Sequence, residues 1–196
     1  MTMTTTALDT KPESPRPDPP DGELLCAAAA GDEQAFEVLF RRHSGALRGF
    51  ITARVGPIAA EDLVIETFVV AWSSSARFDQ RFRSARPWLY GIATKVLQRH
   101  HAVELRWQRS LQAGVVDDPS EATTGLDAEP GADPALIAAI ARLDAGEREV
   151  LLLVALGELR VVEAAAAIGI SSVAARIRLH RARKHLIAEL KGARDA

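Results

Sequence analysis

The chain has 196 residues, of which 47% are apolar, 26% charged and 5% aromatic, and its formal net charge is −2. That length suits one domain or two small ones and excludes a large enzyme, and the composition is that of a globular rather than a disordered chain. The single cysteine, Cys26, excludes a disulfide framework and a cysteine-based zinc site, and no apolar run approaches the ~18 residues needed to cross a bilayer.

Residues 1–20 are rich in Thr, Asp and Pro (Pro12, Pro15, Pro17, Pro19, Pro20) and lack the apolar core of a signal peptide. They are expected to form a disordered leader on a protein that stays in the cytoplasm. Residues 21–111 read as helix throughout and are expected to form a first domain. Asp32 stands where a cap belongs, ahead of Phe36, Leu39, Phe40, His43, Leu47, Phe50 and Ile51 at three- and four-residue steps. Gly56-Pro57 breaks the chain. A second helix is expected from Ala59 to Ser73, with Glu61 and Asp62 in the first turn, where the helix dipole favours acid. It carries one apolar stripe at Val64, Thr67, Phe68 and Ala71 and another at Ile65, Val69 and Trp72. A helix that is apolar nearly all round is either fully buried or shared between its own core and a partner, and the spacing alone leaves both open.

A basic loop over 73–86 leads to a helix opening at Pro87, with Trp88, Leu89, Ile92, Val96 and Leu97 as its inward stripe. Arg83, Arg86, Lys95, Arg99, His100, Arg106 and Arg109 alternate here with Phe78, Phe82, Trp88, Tyr90 and Trp107. Cations that hold phosphates beside rings that stack on unpaired bases are what single-stranded nucleic acid requires. The same rings, Trp88 first among them, also suit an ordinary core. His100-His101 has no further ligand at metal spacing, so no metal site is expected.

Residues 112–133 mix Gly, Pro, Asp and Thr without a sustained period and are expected to be a flexible acidic linker. The second domain, 134–192, opens at Asp133-Pro134 with a helix through Leu143. Asp144 and Glu147 then have the spacing of a capping box ahead of an apolar helix that ends near Leu156 and Gly157. A short helix over 161–168, a turn at Gly169 and a long helix over 172–190 have the logic of a helix-turn-helix. In the last helix Ala175, Leu179, Ala182, Leu186 and Leu190 face inward, while Arg176, Arg178, His180, Arg181, Arg183 and Lys184 face out. Divided by segment, the near-neutral total becomes +7 over 41–109 and +5 over 170–196, set against −6 over 1–40, −6 over 110–135 and −2 over 136–169. Two basic blocks sorted along a chain point to a polyanionic partner.

Five segments now stand in order: GDEQAFEVLFRRH, AEDLVIETFVVAW, RPWLYGIATKVLQRH, EREVLLLVALGEL and GISSVAARIRLHRARKHL. Together, over about residues 22–192, they resemble a bacterial RNA polymerase sigma factor of the extracytoplasmic-function group. The resemblance implies an all-α fold of two small helical domains, sigma domain 2 and sigma domain 4, on either side of the linker. It implies a factor that binds core RNA polymerase and directs promoter recognition, melting and transcription initiation, with no catalytic residue and no cofactor of its own. Asp62, Leu63, Glu66, Thr67, Phe68 and Trp72 fall at the positions that dock on the polymerase clamp helices, and Ile65 and Val69 join them in the expected core-binding surface. Phe78, Arg83, Arg86, Trp88, Tyr90, Lys95, Arg99 and His100 fall in the part that opens and reads the minus-ten element as single strand. Ser171, Ser172, Arg176, Arg178, His180, Arg181, Arg183 and Lys184 fall on the recognition helix for the duplex minus-thirty-five element. Val150 to Leu156 are candidates for the polymerase flap, and an anti-sigma factor is a further partner the resemblance allows.

This chain departs from the family pattern at several positions. Ile65 stands where Gln is common, and Lys95 where Asn is common. Arg160 to Ala165 replace a Ser-Tyr-Glu-Glu-Ile-Ala-like run, Ser171 replaces Pro, and Val173, Ala174, Ala175 and Ile177 replace Gly-Thr-Val and Ser. Two other readings of the chain are a helix-turn-helix transcriptional regulator and a sigma-like adaptor that binds polymerase or a partner without reading a promoter.

Overall fold

The computed structural model describes residues 19–80, 82, 84–112 and 133–192. The leader up to residue 18, linker residues 113–132, Arg81 and Arg83 lie outside the described residues. The elements are α1 (Asp21–Ala29), α2 (Glu33–Ser73), a 3-10 turn (Ser75–Arg77), α3 (Arg86–Gln112), α4 (Pro134–Ala141), α5 (Ala145–Ala155), α6 (Val161–Ala167) and α7 (Ser172–Gly192). Among the described residues there is no strand, as the helical periods require.

The caps read from the sequence are present. Asp32 accepts from the Ala35 N–H at 3.0 Å, Asp133 from Ala135 at 2.9 Å and Asp144 from Gly146 at 2.9 Å. The break at Gly56 is a single residue with φ 74° and ψ 169°, a backbone conformation that suits glycine alone. Pro57, which has no N–H to lose, starts the second arm of α2.

A helix, α1, precedes Asp32 within the stretch expected to be helical, and it is placed by a tertiary anchor described below. One expectation is corrected. The capping box at Asp144 and Glu147 forms only by half. Glu147 turns instead into the second domain, where its carboxylate lies 3.0 Å from the His185 imidazole of α7. The half that Glu147 does not make occurs one helix later, where the Arg160 N–H donates to the Glu163 carboxylate at 2.8 Å.

Two cores result. The first packs Leu25, Leu39, Leu47, Phe50, Ile51, Val64, Leu89 and Leu97 between α1, α2 and α3, and it extends into the second domain through Leu153, Leu159 and Ala164. The second holds Leu143, Val150, Leu151, Ala165, Ala175, Leu179 and Ala182 between α4, α5, α6 and α7. Alanines dominate its α6–α7 contact, which lets the helices approach closely across the turn at Gly169, where φ is 70°.

Candidate functional site

The structure shows that α2 is not buried on all sides. Val64, Thr67, Phe68 and Ala71 are buried, and the Thr67 hydroxyl satisfies itself by donating to the Leu63 carbonyl at 2.7 Å. Ile65 and Val69 remain 57% and 60% exposed. Together with Phe36, Phe40, Phe68 and Trp72 they line a shallow apolar groove of about 290 Å³. Trp72 packs edge-to-face with Phe36 at 4.9 Å. Of the expected docking residues, Asp62 is exposed, Glu66 and Trp72 are half-buried, and Leu63 and Phe68 lie in the core, where they carry the groove rather than face out of it. Glu66 is also paired with Arg99 of α3, which ties the groove rim to the next surface.

That next surface is the loop before α3 and the exposed side of α3 itself. Its geometry depends on Asp21. The buried carboxylate accepts from Arg42 at 2.5 Å and from the Ala85 N–H at 2.7 Å, and it lies 3.0 Å from the His43 Nε2. Burial by itself would raise its pKa. The His43 and Ala85 hydrogen bonds, the His43 charge and Arg42 outweigh that, so Asp21 is held well below the usual carboxylate range. One side chain thus fixes α1, the first arm of α2 and the start of α3.

The expected set on this surface divides. Phe82 and Lys95 are exposed, Trp88 and His100 are half-buried, and Arg83 lies outside the described residues. Phe78 and Tyr90 correct the expectation, because both rings are buried in this arrangement. Phe78 packs edge-on against Trp88 at 5.4 Å, and Tyr90 packs against Phe50 at 4.9 Å. Burial pushes the Tyr90 hydroxyl pKa up despite Arg86 beside it. With the domains in contact the Tyr90 ring is covered, while Phe78, nearly buried, reaches the wall of the cleft between the domains. Trp88, Lys95 and Phe82 line a larger cleft of about 470 Å³, closed on its far side by the turn from Ala166 to Gly169 of the second domain.

The two domains meet at this cleft. Arg54 of α2 donates to both carboxylate oxygens of Glu149 in α5, at 2.8 and 3.1 Å, and Thr94 of α3 adds a hydroxyl at 3.1 Å. Both members of this pair are nearly buried, and the Arg54 guanidinium also sits over the Phe50 ring at 5.3 Å. Arg86, expected to face phosphate, instead donates to the Gly157 carbonyl at 2.8 Å. Gly91 lies so close to the Ala167 carbonyl that any Cβ there would overlap it, and Gly157 meets the Tyr90 ring in the same way. The contacts between the domains had no sequence signal, since each joins residues far apart in the chain.

On α7 the Ser171 hydroxyl accepts from the Ala174 N–H at 3.1 Å and caps the helix. Arg176, His180, Arg181, Arg183 and Lys184 are exposed along it. Ser172 and Arg178 are half-buried, and the Arg178 guanidinium covers Gly146 at the start of α5 rather than reaching outward. Val150 to Leu153, proposed from sequence for the flap, are buried, while Leu156 is exposed. Sequence reasoning did not single out Val173 and Ile177 as surface residues, although their helical spacing opposite Ala175 and Leu179 carried that signal.

Residues 39–106 match the Sigma-70 region 2 family, and residues 134–186 match Sigma-70, region 4. The RNA polymerase sigma factor CnrH of Cupriavidus metallidurans is 31% identical over 184 residues, which span 89% of this chain and 96% of CnrH. The chain belongs to the RNA polymerase sigma factors of the extracytoplasmic-function group. The sigma factor CarQ of Myxococcus xanthus is similar too, 34% identical over 77% of this sigma factor and 86% of CarQ. Among solved structures, CnrH in complex with the cytosolic domain of CnrY aligns with a TM-score of 0.62, at 29% identity over 88% of this chain and 97% of that one. The sigma factor RpoE in complex with the anti-sigma factor NepR from Bartonella quintana aligns at 0.57, with 25% identity over 80% and 96%. The two-domain helical fold and the role in transcription initiation are therefore those of a sigma factor. No helix among the described residues is long and apolar enough to cross a membrane.

Proposed function

We propose that the groove around Ile65, Val69 and Trp72 docks on the clamp helices of core RNA polymerase. In the same reading the surface of Trp88, Lys95, Arg99 and His100, with Phe82, Arg83 and Arg86 from the loop, holds the unpaired minus-ten strand. The exposed face of α7, with Ser171, Ser172, Arg176, His180, Arg181, Arg183 and Lys184, binds the duplex minus-thirty-five element. The observation that carries this reading is the groove. A DNA-binding regulator has no use for two β-branched residues more than half exposed beside a tryptophan, whereas a subunit that attaches to a larger enzyme does.

The free protein binds DNA weakly in this account, because each basic surface is small and the acidic segments compete with phosphate. Polymerase raises the affinity by holding both domains at promoter spacing, so that the second contact forms at high effective concentration. The turn at Ala167 sits on Gly91, so a strand reaches the whole of α3 only after the domains part. Arg86 and Arg54 are released by the same movement. Catalysis belongs to the polymerase, and the factor works in the cytoplasm beside the chromosome. As CnrH and Bartonella quintana RpoE have been seen with CnrY and NepR, this chain too is held by an anti-sigma partner.

Run-off transcription with purified core polymerase, the full chain and a promoter library tests the reading. Transcripts from a defined subset of promoters are expected. Binding to core without any transcript favours the adaptor reading, and DNA binding without any affinity for core favours the regulator.

A further inference from the structure

The outward face of α7 is not basic all along. Ala175, Leu179 and Ala182 are buried and mark its inward side. Val173 and Ile177 lie one helical turn apart on the opposite side, 59% and 48% exposed, and neither belongs to a core. His180 and Lys184 continue the same line, with Arg176 on one flank and Arg181 on the other, all exposed. From Ser172 onward α7 has no carboxylate before Glu189.

This charge pattern selects the occupant. A protein seated on Val173 and Ile177 would bury apolar surface against a ring of cations with no counter-charge on the helix. A nucleic-acid duplex brings that counter-charge in its phosphates, on both sides of the groove that receives the helix. Inside that groove a branched aliphatic side chain can make neither a hydrogen bond nor an ion pair with a base edge. The apolar group a major groove does present is the C5 methyl of thymine.

We infer that Val173 and Ile177 are specificity-determining residues that select thymine methyl groups in the upstream promoter duplex. The inference rests on the reading of α7 as the duplex-binding helix. Four residues of helix rise about 6 Å, close to two base steps at about 3.4 Å each. The two thymines therefore lie on base pairs one or two steps apart. Arg176 and Arg181, reaching phosphate from the flanks, fix the depth at which the methyls meet the side chains.

Holoenzyme reconstituted from the full chain and core polymerase, used to select duplexes randomised in the upstream window, tests the inference. Two enriched thymines one or two steps apart are expected. Replacing each by deoxyuridine keeps the hydrogen-bonding edge and removes the methyl alone, which should weaken holoenzyme binding about fourfold per site. Val173→Ser with Ile177→Ser should bind thymine and deoxyuridine duplexes equally while keeping wild-type affinity for core. Equal binding of both duplexes by the wild type overturns the inference, as does a selected sequence without thymine. Loss of core affinity in the double variant, in place of lost methyl discrimination, also overturns it and assigns the face to a protein. If no upstream sequence is enriched and Arg176→Ala with Arg181→Ala leaves binding unchanged, the reading of α7 itself fails along with it.

Discussion

The first domain buries large side chains, with Phe50, Leu39, Leu47, Ile51, Leu89 and Leu97 packed among α1, α2 and α3. The second fills much of its interior with Ala165, Ala175 and Ala182, between Leu143, Val150, Leu151 and Leu179. Its own Leu153, Leu159 and Ala164 are spent on the first domain's core. A domain of this size has little apolar surface to bury, and alanines supply less of it than leucines do. The second domain therefore completes its burial against the first, and the Arg54–Glu149 pair with Thr94 selects the orientation in which it does so. A buried ion pair is a poor source of net stability but a strong discriminator between one packing and another, because either partner left alone is costly. In the proposed reading the same two domains separate to reach DNA. Opening exposes Leu153, Leu159 and Ala164 of the second domain together with the first-domain surface they cover.

The largest expected effect comes from breaking the contact between them. Glu149→Ala leaves Arg54 buried without a counter-ion and should cost about 3–5 kcal/mol. Denaturant unfolding followed at both domains should then resolve two transitions, the second domain melting first. A single unshifted transition would show that the second domain does not depend on the first.

Asp21→Asn is the matching test within the first domain, expected to cost about 3 kcal/mol at neutral pH by breaking a buried, multiply bonded carboxylate. Because Asp21 is held below its ordinary value of 3.8, its contribution is complete above that pH and is lost as pH falls through the lower folded value. The stability gap between wild type and variant should therefore narrow in acid below about pH 4. A gap that widens there would contradict the assignment of Asp21 as an ionised anchor.

Trp72→Ala should leave the fold largely intact and weaken core polymerase binding by about 2 kcal/mol, as truncation of an interface tryptophan does. Calorimetry or fluorescence titration with core measures it, and unchanged affinity would remove the groove from the docking surface. The smallest effect is expected from single cations on α7. Arg176→Ala or Arg181→Ala should each lower the slope of log affinity against log salt by about 1 for the upstream duplex, measured with holoenzyme. A slope that stays at the wild-type value would place that arginine away from phosphate.

The helical class, the break at Gly56, the caps at Asp32, Asp133 and Asp144, the turn at Gly169 and the inward stripe of α7 were all legible, because each is a local pattern of periodicity or backbone preference. The stripe of Ile65, Val69 and Trp72 was visible as surplus, but whether it was buried or open could not be read from spacing. The burial of Phe78 and Tyr90 could not be read for the same reason, since an aromatic among arginines has the same sequence pattern in a core as on a nucleic-acid surface.

The sequence by itself determined which segments are helical, where they stop, and that two basic blocks are separated by acid. The tertiary structure alone decided that Asp21 joins Arg42, His43 and Ala85, that Glu147 leaves its cap for His185, and that Arg54 meets Glu149 across 95 residues. The physical reason is range. A helix and its caps are set by neighbours a few residues away, whereas a buried charge finds its partner only when packing removes water from both at once.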